Sequence, residues 1–405
     1  MTKRTIPFTT FQEINRLSKN KKILFFGAGN IAEKTFRMIN RSSFYGIIDN
    51  SKNLWGEKQL DKEVLPPEKI SSIESILIII TTTSFNEVTK QLEQMNLMQG
   101  QDFLVSPILN DLRIINEMES INKKIIFSSG AANTSTKFGG GIYELNVIEN
   151  TWNYEKKING TYHGLIKYRD KYLGVDSSVG IIEFDRKYNI SNIIDLPSAS
   201  RAHGVDFSEK YNCYFVACSY LDQVLQIGND GNILNTFNLS EKSKYKQNSP
   251  QHHCNDCCVH EDSLFVSMFS CTGNWKIDVF DGAIIEYNII TGERVGVVKT
   301  DLWMPHNVKI INGSMTCLDS LRGSLLTNNL QEIGKFNAFT RGLDFDGEYY
   351  YIGQSRNRNF SKNLGLSNNI SIDAGVVVFD SITKVSRFLQ LPPQISEIHA
   401  LIVED

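Results

Sequence analysis

The sequence predicts two domains of different class: a small doubly wound α/β domain over residues 1–120 and an all-β domain, a six-bladed β-propeller, over residues 121–405. Three observations predict this division. A strand, a glycine turn and a helix follow one another near residue 27. Beyond residue 121, helical periodicity gives way to short β-rich runs that recur along the chain. The last run stands alone at the C-terminus, where it can complete a blade that begins near residue 121.

Composition excludes several classes of function. The 42 basic and 45 acidic residues give a formal net charge of -3, so we expect no basic surface for nucleic acid. No run of about 18 apolar residues occurs, which argues against a membrane span. The first 22 residues are too polar for a signal peptide, so we expect a cytoplasmic protein. Seven cysteines, an odd number, do not indicate a disulfide framework.

The α/β domain is predicted from strands that alternate with helices. The strand KKILFF ends at Gly27, apolar positions at helical spacing follow, and a second strand, FYGIID, ends on Asp49. SILIIITT and DFLVSPIL are the third and fourth predicted strands. The unbroken apolar run of the third is typical of a parallel strand buried on both faces.

The glycine turn predicts a nucleotide site. Gly27, Gly29 and Ala32 form a G-x-G-x-x-A pattern, the Rossmann-like fingerprint that brings backbone and a helix N-terminus to a phosphate. Asp49 follows at about the spacing of the acid that binds a ribose hydroxyl. The candidate cofactor-binding residues are Gly27, Gly29, Asn30, Ala32 and Asp49, with a nucleotide or nucleotide sugar as ligand. The alternative is a domain that serves only as a docking platform.

Residues 20 to 110 resemble a known family. The segments that carry the resemblance are GAGNIAEKTFRMI, FYGIIDNSKNLWGEKQL, LPPEKI and SILIIITTTSFNEVTKQLEQM, with Gly46, Asp49, Asn50, Trp55 and Gly56 at matching places. They are similar to the small Rossmann-like domains attached to bacterial surface-polysaccharide enzymes, including sugar acetyltransferases and nucleotide-sugar dehydratases. The resemblance implies a nucleotide or nucleotide-sugar ligand and leaves the reaction open. The C-terminal part resembles uncharacterised bacterial six-bladed propeller domains, which implies no activity.

The propeller is predicted from six repeats. Their spacing runs from 35 residues (His306 to Arg341) to 58 residues (Arg341 to His399), the range of a four-stranded blade with variable loops. The repeat starts are Tyr162-His163-Gly164-Leu165, Ala202-His203-Gly204-Val205, His252-His253-Cys254-Asn255, Pro305-His306-Asn307-Val308, Thr340-Arg341-Gly342-Leu343 and Ile398-His399-Ala400-Leu401. Only one strand follows the sixth start. KKIIFSSG, GIYELNV and TWNYEKKI supply the other three and close the ring.

The repeat places histidine at five equivalent positions and arginine at the sixth. These positions should meet at one mouth of the central channel. A lone histidine is more often structural, but five that converge indicate transition-metal binding or proton transfer. We therefore predict a divalent transition metal (zinc, manganese or iron), with His203, His253, His306 and His399 as candidate ligands. The candidate catalytic residues are His163, His253, Arg341 and Arg356.

Residues near the repeat starts predict the substrate and the walls of the site. Arg341 predicts a small-molecule or glycan substrate that carries a carboxylate or phosphate. Three long loops, residues 129–140, 270–282 and 355–375, either surround the site or are solvated insertions. Their candidate residues are Asn133, Lys137, Asn274, Trp275, Lys276, Arg356 and Arg358. The aspartates three positions after repeat starts, expected to join neighbouring blades, are Asp206, Asp256 and Asp344.

The cysteines are interpreted mainly as small buried side chains. Cys254, Cys257 and Cys258 lack the second ligand pair of a structural zinc site. We expect Cys213, Cys218, Cys257, Cys258 and Cys317 to pack in the core. Cys254 stays a candidate nucleophile or thiolate ligand because it adjoins His253.

Two functions remain open. In the first, the propeller is a metal-dependent sugar-modifying enzyme (lyase, epimerase or hydrolase) that acts at the channel mouth on an anionic sugar or nucleotide sugar in bacterial surface-polysaccharide biosynthesis. It is similar to propeller lyases and lactonases in its histidines, but lacks the Glu and Asp ligands of the lactonase pattern. In the second, the propeller is a non-catalytic glycan- or protein-binding scaffold beside a nucleotide-sugar-sensing domain. No pattern predicts an oligomeric state.

Overall fold

The computed structural model describes residues 8–131, 138–240, 251–277, 279–365, 367 and 369–404. The chain divides into two compact units, with the border between Ser120 and Ile121. No helix in the described ranges is both long and apolar enough to cross a membrane.

The first unit is a six-stranded sheet with helices. Its strands are β1 (Lys22–Phe26), β2 (Phe44–Ile48), β3 (Lys58–Gln59), β4 (Lys62–Leu65), β5 (Ile76–Ile80) and β6 (Phe103–Val105). Its α-helices are α1 (Phe11–Leu17), α2 (Asn30–Phe36), α3 (Phe85–Gln94) and α4 (Asn110–Glu119). Short 3₁₀ helices cover Arg41–Ser43, Lys52–Leu54, Pro67–Ser72 and Pro107–Leu109. The strand order is β3-β4-β2-β1-β5-β6, and only the β3/β4 pair is antiparallel.

Alternation along the buried strands explains the layers of this unit. Leu24 and Phe26 of β1 pack with α3 on one face of the sheet, whereas Ile23 and Phe25 pack with α1 and α2 on the other. The four strands predicted from apolar runs are β1, β2, β5 and β6, and the short β3 and β4 were not predicted. The Rossmann-like assignment of the unit stays a prediction.

The second unit is a six-bladed β-propeller, as the repeats predicted. The strands before its first complete blade are β7 (Asn122–Ser129), β8 (Gly141–Ile148) and β9 (Thr151–Asn159). Blade 1 is β10 (Tyr162–Tyr168), β11 (Lys171–Asp176), β12 (Gly180–Phe184) and β13 (Ile190–Asp195). Blade 2 is β14 (Ala202–Ser208), β15 (Cys213–Cys218), β16 (Gln223–Gly228) and β17 (Ile233–Asn238). Blade 3 is β18 (Cys254–His260), β19 (Ser263–Met268), β20 (Gly282–Asn288) and β21 (Arg294–Leu302).

The remaining strands complete the ring. Blade 4 is β22 (Pro305–Ile311), β23 (Ser314–Asp319), β24 (Ser324–Thr327) and β25 (Gln331–Lys335). Blade 5 is β26 (Phe339–Phe345), β27 (Tyr350–Ser355), β28 (Gly375–Phe379) and β29 (Ser386–Gln390). The last strand is β30 (Ala400–Glu404), and short 3₁₀ helices cover Trp275–Ile277 and Phe360–Asn363.

Blade 6 closes the ring with strands from both parts of the sequence. Its order is β30-β7-β8-β9, and β30 pairs antiparallel with β7 from Ala400 opposite Ser128 to Glu404 opposite Lys124. The closure pairs the edge that β7 would otherwise expose. The predicted closure by one C-terminal strand and three earlier strands is confirmed.

Aspartates on the innermost strands bond neighbouring blades together, as predicted. Asp206 accepts a hydrogen bond from the Val259 amide at 2.7 Å, joining blades 2 and 3. Asp344 accepts one from the Val403 amide at 2.8 Å, joining blades 5 and 6. These bonds fix the innermost strands around the channel, which positions the residues at its mouth.

Candidate functional site

Six side chains meet at one end of the channel, each from the start of an innermost strand. We call this set the axial cluster; its members are His163, His203, His253, His306, Arg341 and His399. Four of them lie at the beginnings of β10, β14, β22 and β26, and His253 and His399 directly precede β18 and β30. All six are buried. The structure thus brings the predicted repeat positions together.

Bulges in the innermost strands and the carboxylate of Asp222 orient these side chains. The pairing register of the innermost strand shifts near its start in five of the six blades. Such bulges turn a strand locally and redirect its side chains. At His253, whose φ is 53°, the Asp222 carboxylate accepts backbone hydrogen bonds from Gln251, His252 and His253 at 2.6 to 3.1 Å. Asp222 therefore fixes the turn that presents His253.

The imidazoles contact one another directly. His163 and His203 are stacked with ring centroids 4.3 Å apart, and His399 meets His163 edge-on at 4.4 Å. His203 and His253 lie 5.5 Å apart. Phe269 lies between His253 and His306, with centroid distances of 4.5 and 5.4 Å. The rings form one continuous group around the axis.

Two glycines make room for this group and for Asp256 beside it. A Cβ atom at Gly130 would lie 2.7 Å from His163 Nε2 and 2.9 Å from His399 Nε2. A Cβ atom at Gly204 would lie 2.0 Å from Asp256 Oδ1. Any other residue at either position would displace the side chains that it meets.

The cluster favours neutral imidazoles. Burial and the neighbouring histidines hold the pKa of His163 and of His203 well below its usual range. Burial and the charges of Arg201 and Arg341 lower the pKa of His253 to about 3. Burial also lowers the pKa of His306. A neutral imidazole has one nitrogen that accepts a proton or a hydrogen bond and one that donates.

Arg341 belongs to an ion-pair network centred on Glu397. The Glu397 carboxylate lies 3.3 Å from Arg341 Nη1, 3.0 Å from Arg358 Nη2 and 2.9 Å from His399 Nε2. Burial alone would raise the pKa of Glu397, but the His399 hydrogen bond and Arg341 lower it. Glu397 is thus an anion that forms ion pairs with two arginines. Burial and Arg341 lower the pKa of His399 to about 4 even beside this carboxylate.

Two cavities adjoin the cluster. A cavity of about 20 Å³ lies among four of the imidazoles, and a larger one of about 610 Å³ extends along the channel. Gly164, Asp256 and Asn307 line both. The Asn307 amide donates to Asp256 Oδ2 and to the His399 carbonyl, both at 3.3 Å, so it separates the two spaces. The smaller cavity has room for about one water molecule.

The predicted metal ligands do not present a metal site. Within the described ranges, no group of three or more His, Cys, Asp or Glu side chains is arranged to hold a metal ion. His306 Nδ1 lies 2.9 Å from the Met304 carbonyl oxygen and 2.7 Å from Ser320 Oγ. His399 Nε2 faces Arg341 Nη1 at 2.9 Å, and that positive charge opposes a second cation. The metal and its ligands gain no support here and stay a prediction.

The loop residues divide into two groups. Trp275 lies against His253, with ring centroids 4.6 Å apart, and Arg358 joins Glu397. The Arg356 guanidinium instead donates to the carbonyl oxygens of Ile372 and Pro393, at 3.3 and 3.2 Å. These bonds tie two loops together, and the catalytic role of Arg356 stays a prediction.

Further loop candidates lie away from the cluster or outside the described ranges. Asn274 bonds within its own loop, to Ser270 and Thr272. Lys276 follows Trp275 in the short 3₁₀ helix Trp275–Ile277. Asn133 and Lys137 lie outside the described residues.

The cysteines pack as predicted. All seven are free, and the five interpreted as core residues are buried. Cys254 is buried too, its Sγ lies 3.5 Å from the Gln223 carbonyl oxygen, and burial raises the pKa of its thiol well above the usual range. A buried neutral thiol is a poor nucleophile, so this arrangement disfavours the alternative role considered for Cys254.

The glycine turn of the first unit has a mainly structural geometry. Gly27, with φ of 116°, packs so closely that a Cβ atom would lie 2.9 Å from Thr82 Cβ. The carboxylate of Asp49 accepts from the backbone amides of Ala28 and Ser51, at 2.8 and 2.7 Å. Gly29 precedes α2, which begins at Asn30 and buries Ala32. A Cβ atom at Gly29 would meet nothing within 4 Å, so the space beside it is open.

Sequence reasoning missed the charged residues that complete the cluster. Glu397 precedes its repeat start by one residue, and Arg201 precedes the Ala202 repeat start directly. Both occupy the position two residues before the cluster residue, where the residue type changes from blade to blade, so the repeat gives no signal for them. Asp222 lies in the loop between β15 and β16 and acts through backbone amides.

Comparison with known families gives two matches. A family model described as a domain of unknown function, DUF4915, matches residues 244–403, and one described as C2185-like, N-terminal, matches residues 19–101. Each covers less than half of the chain. These matches do not support the expected resemblance of the first unit to domains of surface-polysaccharide enzymes. A search of the curated proteins found no significant match.

Solved structures similar to the chain share little sequence with it. A nidogen/laminin complex is 12% identical, with 70% of this chain and 98% of that chain covered and a TM-score of 0.49. A protein of unknown function from Bacteroides caccae is 12% identical, with 69% and 98% covered and a TM-score of 0.46. A catalytically inactive virginiamycin B lyase from Staphylococcus aureus with quinupristin is 12% identical, with 66% and 85% covered and a TM-score of 0.38. None of these likenesses transfers a function to this chain.

Proposed function

We propose that the propeller is an enzyme that modifies an anionic sugar and that the axial cluster is its reaction centre. One observation carries the proposal. Among the described residues, seven buried side-chain atoms lack a hydrogen-bond partner, and six of them belong to the cluster or to residues next to it. They are Ser129 Oγ, His163 Nδ1, His203 Nε2, His253 Nδ1, Thr340 Oγ1 and Arg341 Nε.

Such a concentration of unpartnered atoms favours a ligand-binding site. Leaving a buried donor or acceptor without a partner destabilises a protein by about 1–3 kcal/mol, so these atoms are expected to be rare and scattered. Here they gather at one mouth of the channel. A polar group of a ligand at the mouth would supply a partner to those of the atoms that it reaches.

The chemistry available is proton transfer beside an anion-binding group. Neutral His163 and His253 each have a nitrogen free to take or give a proton, and Arg341 Nε is free to bind a carboxylate or phosphate. The cavity among the imidazoles admits only a small group, so the sugar ring itself would lie at the mouth, against Trp275. Lyase, epimerase and hydrolase reactions all need such a proton transfer. No step of this proposal uses a metal ion.

The biological setting is part of the same proposal. We place the reaction in bacterial surface-polysaccharide biosynthesis, on the strength of the sequence segments between residues 20 and 110. For the first unit we propose nucleotide or nucleotide-sugar binding at the glycine turn, supported by the open space beside Gly29.

A substrate screen tests the enzyme proposal. Full-length protein is incubated with sugar acids, sugar phosphates and nucleotide sugars in deuterated buffer, and NMR follows bond cleavage, epimerisation and deuterium uptake. Conversion of one sugar supports the proposal. Binding of a sugar with no chemical change in any of them would contradict it and favour the non-catalytic glycan-binding scaffold.

A further inference from the structure

Three arginines lie at the mouth around the axial cluster, and the sequence does not predict a role for one of them, Arg201. Arg201 directly precedes β14, two residues before His203, and its guanidinium lies 4.6 Å from the centre of the Tyr220 ring and donates to the Tyr220 hydroxyl. Arg341 belongs to the cluster, and Arg358 reaches the same carboxylate as Arg341. The charge of Arg201 acts on the cluster, since it helps to lower the pKa of His253.

The charge at this mouth is unbalanced. Glu397 is the carboxylate that pairs with Arg341 and Arg358, and no ion pair to Arg201 occurs among the described residues. The imidazoles add no charge, because burial and their neighbours keep them neutral. The nearby Asp222 carboxylate is occupied by three backbone amides. Three guanidinium groups against the carboxylates of Glu397 and Asp222 leave one surplus positive charge.

One of the three arginines has a buried nitrogen that is available to a ligand. Arg341 is buried, and its Nε has no partner in the described structure. Its Nη1 is held by Glu397, which fixes the direction of the guanidinium plane. Arg358 has 65% of its side chain exposed, so it can move onto a ligand that arrives from solvent. A buried fixed donor with an exposed cation beside it is an arrangement suited to binding an anion.

We propose that this mouth binds the dianionic phosphate group of a sugar monophosphate, with Arg201, Arg341 and Arg358 as its cationic partners. A phosphate monoester at neutral pH presents three acceptor oxygens and about two negative charges to the three guanidinium groups, whereas a carboxylate presents two oxygens and one charge. The proposal deepens the enzyme proposal, on which it rests for the sugar, by choosing phosphate over carboxylate.

Calorimetric titration of the full-length protein tests this assignment, with inorganic phosphate and acetate as probes at matched ionic strength. We expect phosphate to bind at least about tenfold more tightly than acetate. Its affinity should rise from about pH 6 to about pH 8, because phosphate loses its second proton while the imidazoles remain neutral at both values. Glucose 6-phosphate should bind more tightly than inorganic phosphate if the sugar contacts the mouth.

Three variants locate the site. Arg201→Gln and Arg358→Gln should each weaken phosphate binding about tenfold. Arg169→Gln is the matched control, because Arg169 lies in the turn after β10, at the strand end opposite to His163, and pairs with the exposed Glu209. It should bind phosphate like the wild type. Arg341 is left unchanged because it is buried.

Several results would overturn the assignment. These are acetate binding as tight as phosphate binding, an affinity that falls as the pH rises, and an equal effect of Arg169→Gln. Phosphate binding without turnover in the substrate screen would leave this site standing and contradict only the enzyme proposal.

Discussion

The imidazoles of His163 and His203, from adjacent blades, stack with centroids 4.3 Å apart and planes 13° from parallel. Two positive rings at this distance would repel each other, and burial removes the water that would screen them. At most one of the two rings can therefore carry a charge, and burial lowers the pKa of both so that the neutral form is favoured. This single contact links the blade repeat to the chemistry at the mouth.

The neutral cluster predicts a specific pH dependence of stability. Each cluster histidine has a pKa near 6.5 when unfolded and a lower one when folded, so below about pH 6.5 the unfolded chain binds more protons and stability falls. Replacing His203 with Asn removes one such proton. The free energy of unfolding of His203→Asn should then fall less steeply on acidification, by about 1.4 kcal/mol per pH unit well below pH 6.5.

Urea unfolding at several pH values measures this difference. His260→Asn is the matched control, since His260 is exposed, and it should follow the wild type. Burial raises the pKa of Asp206 to about 6 and of Asp256 to about 7, so these groups destabilise the fold as pH rises, but they do so equally in all three proteins. Equal slopes for His203→Asn and wild type would show that His203 is not held neutral.

Gly130→Ala should damage the cluster without touching any charged residue. The new methyl group would lie 2.7 Å from His163 Nε2 and 2.9 Å from His399 Nε2, so one of these rings must move. We expect a loss of about 1–3 kcal/mol in the free energy of unfolding, typical of overpacking. Gly296→Ala is the control, because a Cβ atom there meets nothing within 4 Å. A fully stable Gly130→Ala protein with wild-type sugar conversion would contradict the packing described here.

The sequence predicts a site residue only where the same residue type recurs at the same position of successive blades. His203 and His306 were found because one backbone position repeats in every blade and the ring brings equivalent positions together. Arg201 and Glu397 share one repeat position, but the residue type there changes from blade to blade, so their roles appear only in the folded chain. The sequence also does not reveal the separate hydrogen bonds of His306 or the charge of Arg341 beside His399. These two features explain why the predicted metal ligands are not arranged as a metal site.

The glycine turn of the first unit allows packing and ligand binding to be separated. Gly27→Ala should lower the free energy of unfolding by about 1–3 kcal/mol, since its φ is 116° and Thr82 lies against it. Gly29→Val should cost less, because its surroundings are open and only the preference for glycine over valine at the N-cap of α2 is lost. If a phosphate approaches there, thermal stabilisation by UDP-glucose or NAD should occur in the wild type and be lost in Gly29→Val. Equal stabilisation of both proteins, or none in the wild type, would count against this site.

The most direct test of the central claim is the rate at which the protein converts the sugar found by the substrate screen when His253 is replaced with Phe. Phenylalanine keeps an aromatic ring beside Phe269 and Trp275 but removes the nitrogen that transfers the proton. We predict that kcat falls about 100-fold or more in His253→Phe, whereas His260→Phe keeps the wild-type rate. A folded His253→Phe protein that turns over the sugar at the wild-type rate would contradict the assignment of the reaction to the axial cluster.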